Sequence, residues 1–201
     1  LRDEAGLTLS EMLVVLAIMG IILAALAGVL SMSVTQSTQI QEQSTLQTEV
    51  RGLVDSMARE LRQAYTGDSS YPIETASSTT LQFMSPDKAV PFRNRRIAYR
   101  LSSGSIDRAQ TVSTDTDGPP WSGLAWTSFG SIPAGAWGTQ VGSVKNAALF
   151  TFFDKSGTQL TGAITPSSVY RVLISVTVAT KAASTRQYSY STSASLRWAP
   201  E

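Results

Sequence analysis

The sequence predicts an α+β protein: a long N-terminal α-helix, transmembrane in its first half and amphipathic in its second, packed on an antiparallel β-sheet head. Three observations predict it. The run from Leu7 to Leu30 is almost wholly apolar. A stripe of apolar residues then continues at three- and four-residue spacing with no proline before Pro72. Beyond Gly67 the pattern changes to alternating strands and turns.

The apolar run, LTLSEMLVVLAIMGIILAALAGVL, rises about 1.5 Å per residue as a helix, enough to cross a hydrocarbon core of about 30 Å. It is too long for a buried helix of a soluble domain. A secretory signal peptide fits poorly. Ala25-Leu26-Ala27 offers a cleavage site, but the leader LRDEAG sets one Arg against Asp3 and Glu4, and the run exceeds the usual apolar region. A plain membrane anchor accounts for the length and leaves Glu11 unexplained, because carboxylates inside membrane spans are costly and functional by default.

The amphipathic half carries Leu46, Val50, Leu53, Met57, Leu61 and Ala64 on one stripe, with Glu49, Arg51, Asp55, Arg59, Glu60 and Arg62 between them. This half is predicted to be the spine of the head, ending near Gly67. Leu7 to Tyr65 as one rod would reach about 90 Å. Ser31–Thr45, rich in Ser, Thr and Gln, reads as a less regular helix or a flexible joint. The expected division is residues 1–6 ahead of the apolar run, 7–30 as transmembrane helix, 31–66 as amphipathic spine and 67–201 as β-rich head.

In the head, strands are predicted at Thr80–Met84, around Ile97, Tyr99 and Leu101, at Ser105–Ala109 after a Ser103-Gly104 turn, and at Phe150–Phe153 before a turn at Asp154–Gly157. Val172, Ile174, Val176 and Val178 share one face, with Arg171, Ser175 and Thr177 on the other. Tyr188, Tyr190, Leu196 and Trp198 share a face of the last segment, which forms a hairpin with the preceding one through Lys181–Thr185. Gln110–Asn146, rich in Gly, Ser and Pro, reads as a long loop whose Trp121, Trp126 and Trp137 cap the core beneath it.

Composition narrows the chemistry. With no Cys and no His, thiolate nucleophiles, Cys/His zinc sites and His-based triads are excluded. The net charge of +1 gives no global field for nucleic acid. No phosphate loop, paired-carboxylate motif or nucleophile elbow appears, so no catalytic residue is expected. Asp115-Thr116-Asp117-Gly118 looks like the start of a calcium loop but lacks the remaining ligands, and no cofactor is expected. Arg93, Arg95, Arg96 and Arg100 form a basic cluster in a head with 12 Lys and Arg against 8 Asp and Glu over residues 66–201. Alternation puts Arg96 and Arg100 on the solvent side of a strand, which reads as a solvated face or a subunit contact.

The segment Gly6-Leu7-Thr8-Leu9-Ser10-Glu11-Met12-Leu13-Val14-Val15-Leu16 resembles the processing motif of the type IV pilin superfamily: a short hydrophilic leader ending in Gly, an apolar residue, and a Glu five positions past the Gly. The resemblance implies cleavage between Gly6 and Leu7 by a prepilin peptidase, methylation of the new amine, and pairing of Glu11 with the amine of a neighbouring subunit during assembly. Leu7 stands where the family commonly has Phe, and the helix has no proline where many pilus-forming subunits carry one. The helix VRGLVDSMARELRQA (50–64), then Arg96–Leu101 and Gly104–Arg108, resembles J-type minor pseudopilins of type II secretion and W-type minor pilins. That implies a tip subunit that helps initiate pseudopilus assembly, with major and minor pseudopilins and an inner-membrane assembly platform as partners. Glu11 argues against the K-type, which usually lacks it. The implied location is the bacterial cytoplasmic membrane, single-pass with the head outside, until the subunit joins a filament. The alternatives are a minor pilin of a true pilus, for adhesion, motility or DNA uptake, and a membrane-anchored extracytoplasmic binding module.

Overall fold

In the computed structural model the described residues are 9–65, 71–87, 93–113, 132, 134–180 and 187–196. The chain divides into two units, residues 1–44 and residues 45–201.

A single helix, α1 (Leu9–Arg62), runs through the end of the first unit and the start of the second. Ser31–Thr45 is helical throughout, not an irregular joint. Hydroxyls there turn back onto the helix: Ser31 donates to the Gly28 carbonyl at 2.9 Å, Thr35 to Ser31 at 2.9 Å and Thr38 to Val34 at 3.0 Å. Side chains that would otherwise compete with the backbone are thereby satisfied in place. The helix stops at Arg62, earlier than predicted. The amides of Gln63 and Ala64 bond to carbonyls three residues back, tightening the last turn. Gly67, the predicted stop, lies outside the described residues.

In the second unit the predicted stripe is the buried face. Val50, Leu53, Val54, Met57, Ala58 and Leu61 are buried, Ala64 closes the row, and Leu46 is half-buried. Full burial of such a side chain stabilises by about 1.5–3 kcal/mol, enough to fix this half of the helix on the sheets.

The helix packs on two antiparallel sheets, where the sequence suggested one. The first is a meander of β1 (Ile73–Ala76), β2 (Thr80–Asp87), β3 (Arg93–Ser102), β4 (Ser105–Val112) and β5 (Gly138–Val141), in that order. The second has the order β7-β6-β8-β9, from β6 (Phe150–Phe153), β7 (Gln159–Leu160), β8 (Arg171–Ala179) and β9 (Gln187–Ser195). Leu81, Phe83, Ile97, Tyr99 and Ile106 of the first sheet meet Phe150, Phe152, Val172, Ile174, Val176 and Val178 of the second in one core with the helix.

The β3–β4 hairpin turns at Ser103 and Gly104, both at positive φ (48° and 75°), between the paired Ser102 and Ser105. Two positive φ values in a two-residue loop match the right-handed strand twist. The sheets are stitched by the chain between β5 and β6. Val144 bonds to the Gly104 carbonyl and bridges Val178, while the amides of Leu149 and Phe150 both reach the Ser78 carbonyl. Asn146 fills a gap in the ladder with its side chain, accepting from the Thr177 amide and donating to the Ser175 carbonyl at 3.2 Å. The β6–β7 turn is held by Asp154, whose carboxylate accepts from the Ser156 hydroxyl at 2.7 Å and the Thr158 amide at 2.8 Å. These bonds, the Ser156 hydroxyl first, hold its carboxyl below the usual range.

Candidate processing and assembly segment

Glu11 sits in the first turn of α1, where a negative charge complements the helix dipole. Its neighbours Val14 and Val15, like Leu13, Leu16, Ile18, Ile21, Ile22 and Leu23, are exposed on every side of the helix. One helix among the described residues is long and apolar enough to cross a membrane, with an 18-residue stretch of mean hydropathy 3.0 that is exposed among the described residues. So much apolar surface requires lipid or other helices to cover it. Gly6 and Leu7, the predicted processing site, lie outside the described residues.

The head has a second, polar feature that spacing alone did not reveal. Tyr99 on β3 and Arg108 on β4 are direct cross-strand partners, and both converge on Glu60 of α1. The Tyr99 hydroxyl donates to Glu60 Oε2 at 2.5 Å, Arg108 Nη2 donates to Glu60 Oε1 at 2.8 Å, and Arg108 Nε donates to the Tyr99 oxygen at 3.1 Å. Tyr99 is 1% exposed. Burial, then the charge and hydrogen bond of Glu60, pushes its phenol far above the ordinary value, with Arg108 opposing. The neutral phenol is the form the fold favours, and an unfolded tyrosine titrates near 10. Its contribution is therefore complete below about pH 10 and is lost as pH rises above that. Denaturation midpoints should fall as pH rises from about 10, the unfolded value, toward the raised value of the folded phenol. The fall should be shallower in Tyr99→Phe, with the folded protein's 295 nm absorbance showing a phenol that resists ionisation. An equal slope in both proteins would remove Tyr99 as its source.

Two arginines of the basic cluster, Arg96 and Arg100, are paired within the fold. Arg96 grips Glu74 through Nε and Nη2, both at 2.6 Å, and Gln82 donates to the same carboxylate at 2.7 Å. Arg100 pairs with Asp107 at 3.2 Å and lies over the Trp137 ring at 4.0 Å. Charges neutralised in this way offer little to a phosphate backbone. Trp137 is half-buried against Arg100 and stands outside the core, contrary to the expected capping role; Trp121 and Trp126 lie outside the described residues. The end of the predicted loop forms β5. The Asp115–Gly118 segment also lies outside the described residues, and among those described no cluster of acidic side chains could hold a metal.

Comparison with known proteins matches residues 1–27 to the family model of the prokaryotic N-terminal methylation motif. No curated protein is matched by the sequence. Among solved structures the fold resembles a type IV-like pilin from Thermus thermophilus, with 10% identity, a TM-score of 0.49, and coverage of 77% of this chain and 98% of that one. Residues 1–27 thus carry a prokaryotic N-terminal methylation motif, and the motif leads into a long apolar helix.

Proposed function

We propose that this chain is a minor pseudopilin, a structural tip subunit that helps initiate pseudopilus assembly in type II protein secretion. In this reading residues 1–6 are removed by a prepilin peptidase, and residues 7–30 anchor the chain in the bacterial cytoplasmic membrane with the head outside. Residues 31–66 form the spine and 67–201 the head. The same apolar helix later enters the filament core beside other major and minor subunits.

The observation that carries the reading is the N-terminal segment. A methylation motif runs into a helix whose apolar residues are exposed on all sides, with a carboxylate in its first turn. A plain anchor needs the apolar helix but neither the motif nor Glu11. The tip role draws its support from the subgroup pattern. The Val50–Ala64 helix, Tyr99 and Arg108, which carry that resemblance, are joined in one hydrogen-bonded unit.

The test is co-expression with a prepilin peptidase, followed by intact mass and N-terminal sequencing. The expected product begins at N-methylated Leu7. A chain left uncut by a peptidase active on a control substrate would overturn the reading. Co-purification with the other minor pseudopilins, and not with subunits of a true pilus, is the expected result for the tip role.

A further inference from the structure

The last strand, β9, leaves one backbone edge open. On β8 the amides of Ser175 and Ala179 and the carbonyl of Thr177 bond toward the β6 side. The even-numbered residues of β8 therefore bond to β9, through their partners Tyr188, Tyr190, Thr192 and Ala194. The N–H and C=O of Gln187, Ser189, Ser191 and Ser193 consequently point outward. Arg62 closes the far end, its Nη2 donating to the Ser193 carbonyl at 2.8 Å. Nothing among the described residues meets the outward groups of Gln187, Ser189 and Ser191. Natural sheets guard their edges with short strands, bulges, prolines or charges, yet β9 is nine residues long, pairs with β8 in unbroken register, and contains neither proline nor charge.

Outward N–H and C=O groups that recur at every second residue are matched by another extended polypeptide backbone. β8 shows which side chains β9 accepts beside it. Val176 faces Tyr190, Val178 faces Tyr188, Ser175 faces Ser191, and Thr177 faces Ser189, with the last two hydroxyls 2.8 Å apart. A strand on the outer edge meets the same β9 side chains from the other side. The tyrosines also line a groove of about 460 Å³ with Gln47, Thr48 and Arg51 of the helix, which has room for branched apolar side chains. Arg51, with its side chain 71% exposed, is the only charge among the described residues lining that groove, and it disfavours a basic occupant. A second β9 is the wrong occupant. α1 runs alongside β9 in the same direction, with Thr48 in the groove beside Ser189, Asp55 at Tyr190 and Arg62 at Ser193. Two β9 strands paired antiparallel would set one spine upside down against the other. An extended segment imposes no orientation on the protein that carries it.

We propose that the open edge of β9 is a peptide-binding site. It takes one extended segment of a partner polypeptide, antiparallel to β9 and without basic residues. Branched apolar side chains point toward Tyr188 and Tyr190, and Ser or Thr stands opposite Ser189 and Ser191. Backbone bonds to Gln187, Ser189 and Ser191 supply affinity, and the groove beside the tyrosines supplies selectivity.

The probe is a fluorescein-labelled peptide copying Ile174–Ala179, with a Glu added at each end, and the readout is its anisotropy with the full chain in detergent micelles. In the proposed register the N–H groups of its Ser175 and Thr177 copies point at β9, and those of its Val176 and Val178 copies point away. N-methylation of the two Val copies should leave binding intact. N-methylation of the Ser and Thr copies should weaken it at least about tenfold. The two probes have the same composition, so micelle partitioning does not separate them, and the protein itself is unaltered. The chain has no cysteine, so Ser189→Cys reads the register. Under mild oxidation it should form a disulfide with a probe carrying Cys in place of the Thr177 copy, since facing Cα atoms of a hydrogen-bonded pair stand about 5.5 Å apart. Thr177→Cys, on the inner strand, should not. Failure of the Val-methylated probe to bind, equal affinity of the two methylated probes, equal cross-linking at Thr177→Cys, or Ser189→Cys dimers of the chain formed without probe would each overturn the proposal. Peptidase cleavage does not depend on this edge, so its outcome is separate.

Discussion

Glu60→Ala should destabilise the head by about 3 kcal/mol, the largest effect expected of a single exposed-looking charge in the chain. A glutamate in the last turns of a helix is disfavoured by the helix dipole, and nothing about its own helix recommends it. Its place is explained by what it meets. It accepts the Tyr99 hydroxyl and both the Nε and Nη2 groups of Arg108, at 2.5, 3.4 and 2.8 Å. Truncation strands a buried phenol without an acceptor and a guanidinium, 22% exposed, without its counter-ion. The cost is that of desolvated groups left unpaired, which exceeds the net worth of the pair when intact. For a domain of this size the melting midpoint should drop by about 10 °C. Glu60→Gln, which keeps an acceptor but no charge, should lose roughly half as much. A double-mutant cycle with Tyr99→Phe should show coupling near 1 kcal/mol. A loss below about 1 kcal/mol for Glu60→Ala would mean that water entering the neighbouring groove, beside Ser56 and Gln140, replaces the carboxylate.

That network marks the boundary of what the sequence makes legible. Alternation over Val172–Val178 identified β8 and its buried face, because a half-buried strand leaves a period of two in its own residues. Ser103-Gly104 announced its hairpin for a similar local reason: the positive φ values need residues that tolerate them. β1, β5 and β7 left no such trace. They are short, and what makes Gly138–Val141 a strand is its pairing with Ile106–Arg108, a contact supplied from elsewhere in the chain. The split into two sheets is also non-local, since it depends on Val144 and Asn146 carrying the ladder across the junction. Glu60, Tyr99 and Arg108 were each visible as residue types, but only the β3–β4 register makes the last two neighbours. For the N-terminal segment the situation is reversed. Its information is local, in a Gly, a Glu and an apolar run at fixed spacing, so it is legible without the fold.

Glu11→Ala should leave insertion and cleavage intact and reduce incorporation into the filament by roughly a hundredfold, the equivalent of about 3 kcal/mol. Insertion is spared because the substitution removes a carboxylate that costs about 2.5–3.5 kcal/mol at the centre of a span and less near its end. Cleavage is spared under the proposed reading because the peptidase acts at Gly6 and Leu7. Assembly differs under that same proposed reading, in which the first turn of α1 leaves lipid and packs among other helices. There the new amine of a neighbour's Leu7 requires an anion, and Glu11 is the carboxylate on that turn. Without it a charged amine is buried alone, and the axial register between subunits loses its fixed point. Glu11→Gln separates charge from shape. If pairing with the amine is the role, Gln should fail nearly as badly as Ala, because an amide oxygen accepts a hydrogen bond but does not neutralise the amine. The measurement is the ratio of filament-associated to membrane-retained subunit, with N-methylated Leu7 verified in both pools. Normal incorporation of Glu11→Ala would sink the pairing role while leaving the methylation motif untouched, and would shift the explanation of the uncovered helix toward lipid alone.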